Sequence, residues 1–213
     1  MNNILERIEK LRRIAVFELL NDSQLELIAQ NINEISLPTG NVFIEQDAIT
    51  NTAYLILTGS VKVYRMSEDG KEIMLDTKGP GEIVGEMALL DGKPRSAYVE
   101  TIQDSTFYTI TKDKFLEVIN LNPQISINII KHLILQMREV GQRMEDFASK
   151  NLSERTYNTL KTLSNYFPNN TITLSQEELA SIIGATRSRV TESLNELEEK
   201  GRITLSHKKI HIM

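Results

Sequence analysis

The stretch LSQEELASIIGATRSRVTESLNELEEKGRI (residues 174–203) contains the start, the turn and the end of two consecutive helices. Ser175, with Glu178 three residues later, has the capping-box pattern that begins a helix. Gly184 is predicted to end that helix, and Thr186 to cap the next one. Two short helices joined by a turn of three to four residues that contains glycine are typical of a helix-turn-helix motif.

The beginning of the second helix carries the residues that we expect to contact nucleic acid. In a helix-turn-helix, the first residues of the second helix reach base edges in the major groove. Arginine there can donate a bidentate pair to guanine, while hydroxyl groups and free helix N–H groups suit phosphate oxygens. The candidate DNA-binding residues are Thr186, Arg187, Ser188, Arg189 and Glu192.

A terminal hairpin is predicted after these helices. The segment RITLSHKKIHIM (residues 202–213) has two short strand-like runs on either side of a charged turn. We expect Lys208 and Lys209 at its tip to contact the DNA backbone as a wing. The alternative is a three-helix bundle whose arginines are merely solvated, but turn, capping pattern, basic helix start and hairpin agree in favouring DNA binding.

A long helix precedes this C-terminal part. It begins at Pro123, since proline is tolerated at the first helical position, and runs to about Ser149. A heptad pattern predicts a coiled-coil dimer interface over residues 123–148, and the alternative is a core helix that packs along its own domain. The apolar residues of this heptad seam are Ile130, Leu133, Met137, Val140, Met144 and Phe147.

The N-terminal part contains two short helices followed by strands. Residues 2–31 have the pattern of two helices, the second with a capping box formed by Ser23 and Glu26. Between residues 33 and 111, short runs alternate apolar with polar side chains and are separated by glycines at turn positions. Several short strands at regular spacing predict an antiparallel sandwich or barrel.

Composition excludes several classes of function. The 213 residues are 40% hydrophobic and 25% charged, as in ordinary globular proteins, and no apolar run approaches the roughly 20 residues of a membrane helix. The N-terminus has charges where a signal peptide has its apolar core, so we expect a cytoplasmic protein without membrane association. With no cysteine and three histidines, neither a metal site, nor haem, nor an iron–sulfur cluster is expected.

The segment GEMALLDGKPRSA (residues 85–97) has a glutamate and an arginine nine residues apart around a short apolar turn. Together with YLILTGSVKVY (residues 54–64) and the helix-turn-helix stretch, it resembles the cyclic-AMP receptor protein/FNR superfamily of bacterial regulators, over essentially the whole chain. The resemblance implies an α+β fold with an N-terminal antiparallel β-roll of the cyclic-nucleotide-binding type, a long dimerisation helix and a C-terminal winged helix-turn-helix. The implied domains are residues 1–120, 121–150 and 151–213.

In that family the segment 85–97 is a phosphate-binding cassette, and its chemistry agrees with the residues of this chain. Arg95 would pair with the cyclic phosphate through its planar fork. Glu86 would accept a hydrogen bond from the ribose 2′-OH, and Ser96 would add a hydroxyl to the phosphate or the base. Glycine allows close backbone approach, and the short helical turn that follows offers free N–H groups. The implied ligand-binding residues are Gly85, Glu86, Met87, Ala88, Arg95 and Ser96, and the implied effector is cyclic AMP.

Two departures from the family pattern concern specificity. Val140 and Gly141 stand where the enteric receptor has a threonine and a serine that contact adenine, and neither offers a side-chain hydrogen bond. Ser188 stands where many relatives have a glutamate that reads cytosine, and Glu192 where they often have an arginine. The identity of the base and the operator sequence therefore do not carry over from the enteric receptor.

The combined pattern predicts a homodimeric transcription regulator, gated by a cyclic nucleotide, that binds a pseudo-palindromic DNA operator and contacts RNA polymerase. One alternative is a family member that acts without nucleotide, with a relic cassette, or that responds to another small molecule. A second is a nucleotide-binding adaptor of a partner protein. An enzyme acting on nucleotides would need a metal cluster or a paired acid and base near the phosphate, so we do not expect one.

Overall fold

The computed structural model describes residues 2–18, 20–68, 70, 72–206 and 209–213, and for Asn2, Asn3, Glu139, Arg143 and Pro168 it describes the backbone alone. Its α-helices are α1 Asn2–Leu11, α2 Asp22–Ala29, α3 Glu86–Asp91, α4 Lys112–Leu121, α5 Pro123–Ser149, α6 Leu152–Ser164, α7 Gln176–Ile183 and α8 Arg187–Glu199. Its strands are β1 Asn33–Leu37, β2 Val42–Ile44, β3 Thr52–Thr58, β4 Val61–Met66, β5 Glu72–Lys78, β6 Ile83–Val84, β7 Tyr98–Thr101, β8 Ser105–Thr111, β9 Thr171–Ile172, β10 Ile203–Ser206 and β11 Lys209–Ile212. The chain divides into two compact units, residues 1–63 with 77–137 and residues 64–76 with 138–213.

The strands before α4 form two four-stranded sheets, in the orders β1-β8-β3-β6 and β2-β7-β4-β5. β3 pairs antiparallel with β8 and with β6, and β1 and β2 pair antiparallel with β8 and β7. Because successive side chains of a strand point to opposite faces, each sheet contributes one set of side chains to a shared core. The buried members of this core are Ile44, Ile56, Val61, Val84, Val99 and Phe107. The predicted antiparallel architecture is confirmed, with two sheets that share one apolar core.

A second buried cluster joins the first sheet to the helices around it. Leu55 and Tyr108 of this sheet are fully buried in the cluster. The helical residues that pack there include Leu11, Leu25, Leu89, Phe115, Val118, Ile125 and Ile129. Since Leu89 lies in α3, this cluster also anchors the short helix that follows Gly85.

The capping box predicted at Ser23 and Glu26 is wrong. The Asn21 side-chain oxygen accepts a hydrogen bond from the Gln24 backbone N–H at 3.0 Å, and the Gln24 side-chain oxygen accepts one from the Asn21 N–H at 2.9 Å. Asparagine caps a helix as well as serine does, and glutamine closes the box as glutamate does. Helix α2 therefore begins at Asp22.

The C-terminal helices α6, α7 and α8 are followed by β10 and β11, which form a three-stranded sheet with β9 in the order β10-β11-β9. The box predicted between Ser175 and Glu178 is present, with hydrogen bonds of 2.7 and 3.2 Å between each side chain and the other residue's backbone N–H. Gly184 ends α7 in the left-handed region, at φ 69°, as expected for a helix C-terminus. The buried side chains of this part include Leu160, Leu163, Leu179, Ala180, Ile183, Val190, Leu194, Leu197, Ile203 and Ile210. The predicted helix-turn-helix and terminal hairpin are thus both present.

Helix α5 is continuous from Pro123 to Ser149, as the sequence predicted. Leu133 packs against the N-terminal apolar cluster, so it does not belong to the exposed seam alone. The other members of the seam are exposed: Ile130 by 55%, Met137 by 75%, Val140 by 54%, Met144 by 69% and Phe147 by 62%. Over the described ranges of the chain, no helix is long and apolar enough to cross a membrane.

Candidate functional site

Gly85 is the turn residue at which β6 ends and α3 begins. Its backbone lies in the left-handed region, with φ 82° and ψ 5°, which favours glycine. A Cβ atom at this position would overlap the Arg95 guanidinium. Any other residue would therefore displace the Arg95 side chain as well as strain the turn. The local sequence thus allows a close approach between Gly85 and the arginine ten residues later.

Arg95 is almost completely buried, with 2% of its surface exposed. Its Nε donates a hydrogen bond to the Thr50 hydroxyl at 2.6 Å, and its two Nη atoms donate to the backbone oxygens of Gly85 and Thr52. Burial lowers the pKa of Arg95, and the nearby Tyr54 and Glu86 raise it less strongly. The guanidinium is thus fixed in place by three acceptors and shielded from solvent.

Glu86 is the first residue of α3, and its side chain is buried as well, with 6% of the residue exposed. Burial raises the pKa of the Glu86 carboxyl above its usual value. A hydrogen bond from its own backbone N–H and the charges of Lys78 and Arg95 oppose that rise. Within the described part of the chain no ion pair joins Glu86 to Arg95, so the two groups influence each other through space.

The remaining candidate ligand residues lie along the same segment with different exposure. Met87 is exposed by 52%, and Ala88 is half-buried, both in the first turn of α3. Ser96 is exposed and follows the buried Arg95. The six sequence-predicted residues therefore lie at the two ends of one segment, around α3 and around Arg95.

The sequence analysis did not predict the groups that surround Glu86 and Arg95. Thr50 and Thr52 hold Arg95, although they lie 45 and 43 residues before it in the chain. Burial raises the pKa of Tyr54, and Arg95 lowers it less strongly, so the phenol lies within electrostatic reach of the guanidinium. Lys78, which influences Glu86, forms an ion pair with Glu82 at 3.1 Å. Thr50 lies just before β3 and Thr52 is its first residue, and nothing in their local sequence pattern indicates an arginine partner.

The N-cap and the first two turns of α8 present the candidate DNA-binding residues to solvent. Thr186, Arg187, Ser188, Arg189 and Glu192 are all exposed, whereas Val190 is buried and holds the helix in its domain. Thr186 occupies the N-cap position, but its hydroxyl lies 3.3 Å from the Ser188 hydroxyl instead of capping the helix. The predicted N-cap residue of α8 is therefore confirmed, but its side chain makes no capping hydrogen bond.

The turn between α7 and α8 is stabilised by local bonds. The Ala185 N–H donates to the Ala180 oxygen at 3.0 Å, and the Thr191 hydroxyl donates to the Gln176 side chain at 2.8 Å. Of the two lysines predicted at the hairpin tip, Lys208 lies outside the described residues, and Lys209 is exposed at the start of β11. The two hydrogen bonds around the turn hold the basic start of α8 against α7.

No cluster of three or more metal-ligating side chains that could hold a metal ion occurs among the described residues. The groups within electrostatic reach of Arg95 are the Glu86 carboxylate and the Tyr54 phenol, and Lys78 lies within reach of Glu86. This set can hold an anion beside a hydrogen-bond donor such as a sugar hydroxyl.

Comparison with known proteins gives two domain matches. Residues 34–122 match the cyclic nucleotide-binding domain, and residues 152–213 match the Crp-like helix-turn-helix domain. A CRP-like cAMP-activated global transcriptional regulator of Mycobacterium tuberculosis is 26% identical over 211 residues, which cover 96% of this chain and 94% of the relative. The cyclic AMP receptor protein of Thermus thermophilus is 26% identical over 190 residues, covering 89% and 88%. Among solved structures, the c-di-GMP-responsive global regulator CLP of Xanthomonas campestris has a TM-score of 0.76 at 21% identity, covering 90% of this chain and 99% of that one.

A cyclic nucleotide-binding domain followed by a helix-turn-helix defines a class of DNA-binding transcription regulators. Within that class, the chain belongs to the cyclic-AMP receptor protein/FNR superfamily, which confirms the resemblance seen in its sequence.

Proposed function

We propose that this chain is a homodimeric transcription regulator whose DNA binding is gated by a cyclic nucleotide, with cyclic AMP as the first candidate. The single observation that carries the proposal is the buried Arg95, fixed beside Gly85 and within electrostatic reach of a buried carboxylate. A buried charge needs a partner, and a phosphate that enters this site would supply one. Residues 1–120 would then form the effector domain, residues 121–150 the dimerisation helix and residues 151–213 the DNA-binding domain.

The chemistry assigns a role to each group of the cassette. Arg95 donates to two phosphate oxygens, and Glu86 accepts a hydrogen bond from the ribose 2′-OH. The backbone N–H groups at Met87 and Ala88 and the Ser96 hydroxyl supply neutral donors to the same ligand. Neither a nucleophile nor an acid–base pair is needed for such a site, so the proposal is a regulator and not an enzyme.

Cyclic AMP is supported by the named activity of the Mycobacterium tuberculosis relative, a cAMP-activated regulator. The alternative, another small-molecule effector or none, is favoured by Val140 and Gly141, which provide no side-chain hydrogen bond to adenine. The fold also occurs in the CLP regulator, which responds to c-di-GMP. Titration with each of these nucleotides separates the alternatives.

DNA binding would use two copies of α8 in one dimer. Two recognition helices one helical turn apart, about 34 Å, match a pseudo-palindromic operator. Nucleotide and DNA would then stabilise the same arrangement of the dimer, and each would tighten the binding of the other by the same factor.

We further propose that the regulator acts in the cytoplasm, where DNA and RNA polymerase are accessible to it.

The proposal is tested by calorimetry of nucleotide-stripped protein against cyclic AMP, cyclic GMP and c-di-GMP, followed by DNA selection with and without the bound nucleotide. Saturable binding of one nucleotide and ligand-dependent DNA binding are expected. DNA binding that is unaffected by any nucleotide would favour a regulator with a relic cassette. Nucleotide binding without salt-dependent DNA binding would favour an adaptor protein.

The exposed seam of α5 gives a prediction for the dimer. Replacing Met137 with glutamate places two like charges near the two-fold axis and removes apolar area that is buried on association. Burial of a methionine is worth about 1.5–3 kcal/mol in each chain, so the dimer dissociation constant should rise roughly 100-fold or more. Light scattering coupled to size-exclusion chromatography measures the mass.

Lys131→Glu provides the matched control, because Lys131 is exposed on the same helix one position after the seam residue Ile130. This variant should remain dimeric. A dimer that survives Met137→Glu at micromolar concentration would place the interface elsewhere on the chain.

The raised pKa of Glu86 gives a prediction for pH. Ligand-free Glu86 takes up a proton at a higher pH than an ordinary glutamate, and only the ionised carboxylate accepts fully from the ribose hydroxyl. Nucleotide affinity should therefore fall as the pH is lowered towards the raised pKa. The pKa of Glu86 is higher in the folded chain than in the unfolded chain, so the folded chain holds this proton more tightly. The contribution of Glu86 to the free energy of unfolding therefore decreases as pH rises from the ordinary glutamate pKa to the raised one.

Calorimetry between pH 8 and pH 5 measures this dependence, with Glu86→Gln as the control. The glutamine variant should bind nucleotide more weakly but with a flatter pH profile. An equally steep profile in Glu86→Gln would assign the titration to another group.

A further inference from the structure

The residues just before β3 hold Arg95 by its backbone. The Arg95 N–H donates to the Ala48 oxygen at 2.9 Å, and the Asp47 N–H donates to the Arg95 oxygen at 2.9 Å. We call residues 47–52 the clamp segment. Because these two bonds pair the clamp segment with the end of the cassette, the Cα position of Arg95 is fixed before any ligand enters.

The clamp segment also holds the guanidinium. Of the five N–H groups of an arginine, one donates here to the Thr50 hydroxyl, one to the Thr52 oxygen and one to the Gly85 oxygen. Counted over the described residues, this leaves one N–H on each of the two Nη atoms without a protein acceptor. Two donors on one planar group match the two exocyclic oxygens of a phosphodiester.

We propose that Thr50 is a positioning residue for the ligand, and that its hydroxyl orients the Arg95 guanidinium so that the two remaining N–H groups meet the two exocyclic oxygens of a cyclic phosphodiester. This inference rests on the proposed function of the cassette. Thr50 itself is exposed while Arg95 is buried, so the threonine acts from the rim of the site through the arginine.

Thr50 is the acceptor that a substitution can remove. The other two acceptors of the guanidinium are backbone oxygens, which every residue supplies. Valine has nearly the same shape as threonine and lacks the hydroxyl, whereas serine keeps the hydroxyl and lacks the methyl group. Thr50→Ser should therefore leave stability nearly unchanged, whereas Thr50→Val leaves the Nε–H of buried Arg95 without its acceptor and should lower the unfolding temperature modestly.

The experiment compares the full-length chain with Thr50→Val and Thr50→Ser by calorimetry against cyclic AMP. It also uses the two diastereomers of its phosphorothioate, in which sulfur replaces one or the other exocyclic oxygen. A hydrogen bond to a charged group corresponds to a factor of about ten to one hundred in an equilibrium constant. Because Thr50 acts on the ligand only through Arg95, the lower end of that range applies, and Thr50→Val should weaken cyclic AMP binding about tenfold. Thr50→Ser should bind within about threefold of the unchanged chain, since the hydroxyl remains.

The phosphorothioate pair provides a readout that a merely structural role would not change. A fixed guanidinium distinguishes the two oxygens, and one that can rotate distinguishes them less well. The ratio of affinities for the two diastereomers should therefore shrink in Thr50→Val and persist in Thr50→Ser. Thermal unfolding of the ligand-free variants confirms that the fold is intact.

Three results would overturn the proposal: unchanged affinity in Thr50→Val, equal losses in valine and serine variants, or an unchanged diastereomer ratio in the valine variant. If the unchanged chain itself binds no cyclic nucleotide, the proposed function fails and this inference fails with it. That outcome is distinguishable, because it appears before any substitution is made.

Discussion

Replacing Arg187 and Arg189 together with alanine should abolish sequence-specific DNA binding. Both side chains are exposed in the first turn of α8, while Val190 beside them is buried and keeps the helix in place. A bidentate arginine–guanine contact is worth about 1–3 kcal/mol, and a dimer on its operator would lose four arginines. The expected loss in affinity is on the order of 1000-fold or more.

A charge-preserving control separates base readout from phosphate contact. Arg187→Lys with Arg189→Lys keeps both positive charges but loses the planar fork that matches guanine. Fluorescence anisotropy with the selected operator and with unrelated DNA, at several salt concentrations, gives affinity, specificity and the salt slope. If the lysine pair keeps both affinity and specificity, the arginines contact phosphates, and the bases are read by other residues.

The helix-turn-helix was predictable from sequence almost to the residue because its signals are local. The box between Ser175 and Glu178 and the left-handed Gly184 each act within one or two helical turns. Local signals also fail when two candidates compete. The capping box at the start of α2 is formed by Asn21 and Gln24, and not by Ser23 and Glu26. At the start of α8, the Thr186 hydroxyl contacts the Ser188 hydroxyl instead of the helix backbone.

The surroundings of Arg95 were not predictable, since they depend on how distant segments pair. The Thr50 and Thr52 acceptors lie just before β3 and at its first residue, more than forty residues earlier, and nothing in their local pattern indicates an arginine partner. The sequence of the cassette indicated which residues carry charge, but not which atoms form hydrogen bonds with those residues. The long helix is an intermediate case: its length was predictable, but Leu133 fits both the seam and the N-terminal core.

Replacing Arg95 with glutamine should remove cyclic-nucleotide binding. The variant loses both donors proposed for the phosphate, and a hydrogen bond to a charged group is worth about 1.5–3 kcal/mol. Two such bonds correspond to a rise in the dissociation constant of about 100-fold to 10,000-fold. Arg95→Lys is the matched variant: it keeps the positive charge without the fork, and we expect an affinity between those of the unchanged chain and the glutamine variant.

Stability must be measured together with binding, because Arg95 also satisfies the backbone oxygens of Gly85 and Thr52. Leaving a buried acceptor unpaired costs about 1–3 kcal/mol, so both variants should unfold at a lower temperature than the unchanged chain. Nucleotide-induced stabilisation then reports binding in each folded variant, and reaches about 2.7 kcal/mol at a ligand concentration 100 times the dissociation constant. Equal stabilisation of the glutamine variant and the unchanged chain would show that the phosphate binds elsewhere, and Arg95 would then be a structural residue that ties α3 to β3.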